Sequence, residues 1–216
     1  MAVDGPVGGL IVEATHAGHL RGYTNRKILD GPDSLTPIRS DAALGKTGTI
    51  HITRTVPGRI LNQESLRCDP PALNFVVARH FNHSQQIPAA VEIQVRADAS
   101  GLISARGLVT ERMPDSDSNA FLRALECFHR GDVRDRLQTT AALEEFRTIF
   151  SLADLETTES RPLQFHCRCS RERARASFAA LSKDDLVEIR SAGGTQHVTC
   201  HLCGQDYVFR PDEAGA

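Results

Sequence analysis

The chain has 216 residues, with 25 Lys and Arg against 27 Asp and Glu and a formal net charge of −2. With 40% hydrophobic and 24% charged residues, it has the composition of a folded globular protein, sized for one domain and a small appendage. The charge balance excludes bulk electrostatic capture of nucleic acid or anionic membrane as the main activity, and six cysteines are too dilute for a disulfide scaffold.

The first residues carry Asp4 and Glu13, and their apolar stretch, 7–12, is too short for a signal-peptide core. No run approaches the ~18 apolar residues of a membrane span. The expected compartment is the reducing cytoplasm, or an organelle such as the mitochondrion if the source is eukaryotic.

The first half alternates like a sheet. Strands are predicted over 9–15 and 19–23, joined at Ala17-Gly18, and over 49–54, where Ile50 and Ile52 alternate with His51 and Thr53. Pro70-Pro71 opens a helix to about Asn82, with Leu73, Val76, Val77, His80 and Phe81 as a core stripe. Strand 90–97 places Val91, Ile93 and Val95 on one face, and 102–110 returns to complete a hairpin.

After Met113-Pro114 the pattern becomes helical. Ser118 is expected to cap a helix carrying Phe121, Leu125 and Phe128, and a second helix spans 140–150 with Leu143, Phe146, Ile149 and Phe150. Residues 151–164 lose periodicity and read as an acidic linker with Leu152, Ala153, Leu155 and Leu163 as its few apolar groups.

The tail, 161–209, predicts a helix capped by Ser170 that buries Ala174, Phe178 and Leu181. A second helix follows with a Ser182/Asp185 capping box, then strands at 196–199 and 207–209 around a knuckle at 200–204. About fifty residues bury little apolar surface and need a staple.

Four cysteines supply one. Cys167-x-Cys169 and Cys200-x-x-Cys203, separated by 30 residues, have the form of two edges of one tetrahedral thiolate site. Zinc is favoured over an iron–sulfur cluster; unligated buried thiols and disulfides are the other readings. His166, His197 and His201 flank the site as polar neighbours, because four thiolates already complete a tetrahedron. Cys68 and Cys127 read as buried, inert thiols. Arg168, Arg171, Arg173 and Arg175 form a basic run, either a solvated face offsetting thiolate charge or a nucleic-acid contact. No nucleophile elbow, phosphate loop or metal-hydrolase helix motif is present, and Gly5, Gly8, Gly9 and Gly18 make no dinucleotide fingerprint, so no catalytic residue is assigned.

FHCRCSRER at 165–173 and VTCHLCGQDYVF at 198–209 resemble the redox-regulated thirty-three-kilodalton heat-shock chaperonin (holdase) family. GPV at 5–7, LRGY at 20–23, ARHFNHSQQIP at 78–88 and the strand pair ending in Met113-Pro114 extend the resemblance over nearly the whole chain. Family members carry a further N-terminal stretch of several dozen residues; here the sequence begins after it. Ser104-Ala105-Arg106-Gly107 and Gln85-Gln86-Ile87-Pro88 depart from the family's small-residue run and acidic-glutamine-proline turn.

The resemblance implies an α+β fold. A mixed sheet-and-helix, client-binding body over 1–114, N-terminally shortened, is followed by a helical and flexible linker over 115–164, a zinc-binding redox-switch module over 165–209 and a tail over 210–216. It implies a non-enzymatic, ATP-independent holdase for unfolded proteins under oxidative and heat stress. One Zn2+ per reduced chain would sit on Cys167, Cys169, Cys200 and Cys203. Oxidation would form the disulfides Cys167–Cys169 and Cys200–Cys203, release the metal and loosen the linker. Implied partners are misfolded clients, hand-over to the seventy-kilodalton heat-shock chaperone system, and a second copy in an oxidised homodimer; neither membrane nor nucleic acid is expected. The alternative is a zinc-ribbon adaptor or nucleic-acid-binding protein using the Arg-rich helix.

Overall fold

A computed structural model of the chain describes residues 1–26, 40–98, 100–139, 142–152 and 155–213. Thr140, at the start of the second predicted helix, Ala153 of the linker and the last residues of the tail, 214–216, lie outside the described residues. The fold is α+β, as expected. Chain order runs β1 (Ala2–Val3), β2 (Leu10–Ala14), β3 (His19–Thr24), α1 (Ser40–Leu44), β4 (Gly48–Val56), β5 (Arg59–Cys68) and α2 (Leu73–Arg79). A π-helical turn, His80–Ser84, extends α2; β6 (Ala89–Asp98), β7 (Gly101–Glu111), α3 (Ser118–Arg130), α4 (Asp132–Thr139) and α5 (Leu143–Phe150) follow. The remainder holds β8 (Gln164–Phe165), α6 (Arg171–Ala176), a 3-10 turn (Ser177–Ala180), α7 (Lys183–Ala192), β9 (Gln196–Thr199) and β10 (Asp206–Phe209).

These elements form two compact units, Met1–Gly9 with Asn25–Thr158, and Leu10–Thr24 with Glu159–Ala216. In the first unit, β4 is the middle strand of a three-stranded sheet, antiparallel to β1 and β5. The β1–β4 seam is pinned by Asp4, whose carboxylate accepts from the Lys46 and Thr47 amides at 2.8 and 2.9 Å. These bonds, the Thr47 amide's first, hold the Asp4 carboxyl below the usual carboxylate range.

The β6–β7 hairpin is antiparallel, with Val91 opposite Val109. Its base is buried at Ala89, Ala90 and Val91, where α2, α3 and α4 pack on β6; Val95 and Leu102 towards its tip are exposed. Arg106 donates to the Leu137 carbonyl at 2.9 Å, and Arg96 and Arg106 both reach the Gln138 carbonyl. These cations meet the negative end of α4, where carbonyls lack helical partners. The largest core joins Ala124, Cys127, Val133, Leu137, Phe146 and Phe150, with Leu108, Phe128, Ile149 and Leu152 against it. The start of the expected linker thus folds back on this unit, and Arg147 Nε donates to the Leu155 carbonyl at 2.8 Å.

Several expectations change. β5 and α4 were not foreseen. The cap of α3 is Asp117, whose carboxylate accepts from the Asn119 amide at 2.9 Å, with Ser118 inside the helix. On the α2 stripe only Val76 is fully enclosed, and Leu73 is exposed. Leu10–Thr24 groups with the cysteine-bearing segment. No helix of the described residues is long and apolar enough to cross a membrane.

Candidate metal centre

The second unit is built around the cysteines. β8 lies parallel to β3, with Gln164 N donating to the Gly18 carbonyl at 3.0 Å and His166 N to the Leu20 carbonyl at 2.9 Å. This pairing delivers Cys167 and Cys169 directly after β8. The strand approaches closely because position 18 is glycine: φ is +80°, and a Cβ there would lie 2.2 Å from the Pro162 carbonyl oxygen. Gly18→Ala is therefore expected to weaken this docking by about 1–3 kcal/mol. Amide hydrogen exchange at Gln164 and His166 checks it by accelerating while exchange in α3 stays unchanged.

The second cysteine pair sits on the turn between β9 and β10. Cys200 N donates to the Gln205 carbonyl at 2.9 Å, and Gly204 N to the Cys200 carbonyl at 2.8 Å, with Gly204 at φ +74°. Behind them Phe178 and Phe209 are buried edge-to-face at 5.3 Å, with Ala174, Leu186, Ile189, Val198 and Tyr207 around them. Both predicted helix caps form: Ser170 accepts from the Arg173 amide, and Ser182 and Asp185 make a reciprocal box.

All four predicted sulfurs converge, each within 4.8 Å of the others. The Cys167–Cys200 sulfurs are 3.7 Å apart and the Cys169–Cys203 sulfurs 3.4 Å. A tetrahedron with metal–sulfur arms of ~2.3 Å has edges of about 3.8 Å, so the cluster fits a thiolate-bound divalent ion. Its electrostatics say the same. The Cys169 backbone amide, reinforced by the neighbouring thiols, draws the Cys167 thiol down to about 6. At Cys203 the Gln205 amide also favours the thiolate, but burial and the other three sulfurs outweigh it and push the thiol up to about 12. One thiolate forms readily and the last is resisted by its neighbours. A divalent cation removes that repulsion. Tyr207 donates to the Cys169 sulfur at 3.1 Å, which raises the phenol to about 12.

The flanking histidines are engaged elsewhere. His197 Nδ1 lies 2.6 Å from Asp206 Oδ2, His166 stacks near His19 at 4.3 Å, and His201 faces Tyr23 at 6.4 Å. Cys68 and Cys127 are buried in the first unit; burial pushes the Cys68 thiol up, and Cys127 Sγ donates to the Ile149 carbonyl at 3.1 Å. Arg171 donates to the Val208 carbonyl at 2.8 Å, pairs with Glu213 and lies 4.5 Å over the Phe209 ring. Arg168 pairs with Glu13, and Arg173 donates to the Arg168 carbonyl at 3.0 Å. The contributions of Glu13, Arg21 and Tyr207 carry no local signal in the sequence.

The sequence model of the Hsp33 protein family matches residues 1–210. The chain belongs to the Hsp33 family. It is 30% identical to the 33 kDa chaperonin of Symbiobacterium thermophilum, over 99% of this chain and 73% of that protein. It is likewise 30% identical to the 33 kDa chaperonin of Deinococcus radiodurans, over 98% of this chain and 73% of the relative. The crystal structure of the 33 kDa chaperonin of Thermotoga maritima superposes with a TM-score of 0.86 at 22% identity, covering 99% of this chain and 73% of that one. Hsp33 membership places the chain among chaperones rather than enzymes, with a four-cysteine cluster able to hold a metal.

Proposed function

We propose that this Hsp33 family member is an ATP-independent holdase that captures unfolded proteins under heat and oxidative stress, switched by Cys167, Cys169, Cys200 and Cys203. The observation that carries the reading is the convergence of four sulfurs within 4.8 Å in a unit whose own buried core is Phe178 and Phe209. Bound Zn2+ would supply the charge that lets all four sulfurs be thiolates together and would hold the unit folded.

Oxidation reverses this. For each pair, two cysteine thiolates, one hydrogen peroxide and two protons give one disulfide and two waters, so neither sulfur remains a ligand. The expected pairs are Cys167–Cys169 and Cys200–Cys203. The 3.7 and 3.4 Å separations of Cys167–Cys200 and Cys169–Cys203 run across the two motifs, but those positions depend on the folded unit. Peptide mapping after peroxide treatment checks the pairing, and a majority of Cys169–Cys203 links would contradict it.

In this reading residues 1–114 form the client-binding body, 115–164 the linker, 165–209 the redox module and 210–216 the tail. Exposed Val56, Ile60 and Leu61 on β4 and β5, with Val95, Leu102 and Ile103 on β6 and β7, supply apolar surface suited to unfolded chains. Hand-over to the seventy-kilodalton heat-shock system, an oxidised homodimer and a cytoplasmic location complete the proposal. The nucleic-acid alternative draws no support from the Arg run, because Arg168, Arg171 and Arg173 engage groups of their own unit.

The test is suppression of thermal aggregation of an unrelated protein by peroxide-treated and by reduced, zinc-loaded chain. Capture several-fold greater after oxidation and reversed by thiol plus zinc is expected. Equal capture in both states would refute the switch.

A further inference from the structure

The β2–β3 hairpin interrupts the first unit in sequence yet packs with the cysteines. Among its residues that reach the metal centre is Arg21. Arg21, with 15% of its side chain exposed, pairs with Glu13 across the hairpin, where the two residues are register partners. Glu13 also pairs with Arg168, which lies between Cys167 and Cys169. So anchored, Arg21 lines one cavity with Cys169 and Cys200, and the Cys167 thiol beside it favours the charged guanidinium. Arg21, Arg168 and Arg173 line a cavity of about 250 Å3 together with Cys169, Cys200 and Tyr207. Three cations thus line a cavity with sulfurs of a cluster that carries net negative charge even with a divalent ion bound.

We propose that Arg21 is a positioning residue for the metal centre, a guanidinium locked by Glu13 that orients the Cys167 thiolate, offsets its charge and fastens the β2–β3 hairpin to the site. Hydrogen bonds to metal-bound ligands tune both affinity and reactivity, and losing one costs roughly 10–100-fold in affinity. A donor on the sulfur also withdraws electron density from it, so Arg21 slows attack of the thiolate on an oxidant. The inference rests on the metal reading above and deepens it.

The experiment uses the full, reduced chain loaded with Co2+ or Zn2+, with chelator competition for affinity and the sulfur-to-cobalt charge-transfer absorption as the readout of the thiolates. Arg21→Ala is expected to weaken affinity about ten-fold or more and to shift that absorption. Arg21→Lys keeps the charge and should recover part of the affinity. Arg161→Ala is the control for docking alone, because Arg161 holds the hairpin through the His16 carbonyl at 2.8 Å. That variant is expected to leave the absorption unchanged. Parent-like affinity and absorption in Arg21→Ala, or the same spectral shift in Arg161→Ala, would overturn the proposal while leaving the metal reading intact. A parent chain that binds neither ion overturns both. Should Arg21→Ala fail to fold, the absorption of Arg21→Lys decides, since an ammonium cannot reproduce the guanidinium's geometry at the sulfur.

Discussion

Replacing Cys167 and Cys200 by serine is expected to give a chain without zinc whose residues 164–213 have lost amide protection, while the first unit keeps its own. The second unit buries Phe178 and Phe209, and most of its other apolar groups are only partly covered. Such a core cannot offset the conformational entropy of ordering about fifty residues at ~1–2 kcal/mol each. A structural zinc site contributes about 10–16 kcal/mol of apparent binding energy that becomes folding energy. Removing two of the four ligands, one from each motif, takes away most of that term and leaves the remaining thiols without a cation to balance them. The first unit has a separate core around Val133, Leu137, Phe146 and Phe150, with no cysteine of the cluster in it. Elemental analysis and hydrogen exchange measure the two halves of this expectation. Retained protection at the β9–β10 amides without metal would show that the unit folds on its own.

The parts of this molecule that were legible in the sequence are those encoded over a few residues. The Ser182/Asp185 box and the Ser170 cap are contacts across three positions, and both occur as read. The cysteine motifs were legible for a different reason: their spacing constrains where sulfur atoms can meet whatever lies between. Elements with weak periodicity escaped. α4 offers only Val133 and Leu137 as buried anchors on an otherwise charged helix. β5 places Asn62, Gln63 and Glu64 where alternation should show, and pairs Glu64 opposite Ile52. The docking of Leu10–Thr24 on β8 was illegible in principle. It depends on a 145-residue separation, bridged by Arg161 and His16, and no local pattern records such a partner.

The second large effect is expected at Phe209, which holds no metal. This residue is fully buried, stands edge-on to Phe178 at 5.3 Å and is covered by the Arg171 guanidinium 4.5 Å from its centroid. Phe209→Ala removes the ring and leaves a cavity, a loss of about 3–5 kcal/mol for a phenylalanine in a packed core. It also strips Phe178 of its aromatic partner and Arg171 of its cation–π contact. In a unit whose folding and metal binding are one equilibrium, this cost is subtracted from the apparent binding energy. At about 1.4 kcal/mol per decade, zinc affinity should fall roughly 100- to 4,000-fold although every ligand remains. The exposed neighbour Val208 points to the other face of β10, so Val208→Ala should change affinity less than about three-fold, within the ~0.5 kcal/mol usual for surface sites. Chelator competition on the two reduced variants makes the comparison. Unchanged affinity in Phe209→Ala would mean that the sulfurs are organised without the core behind them, and would separate metal binding from folding in this unit.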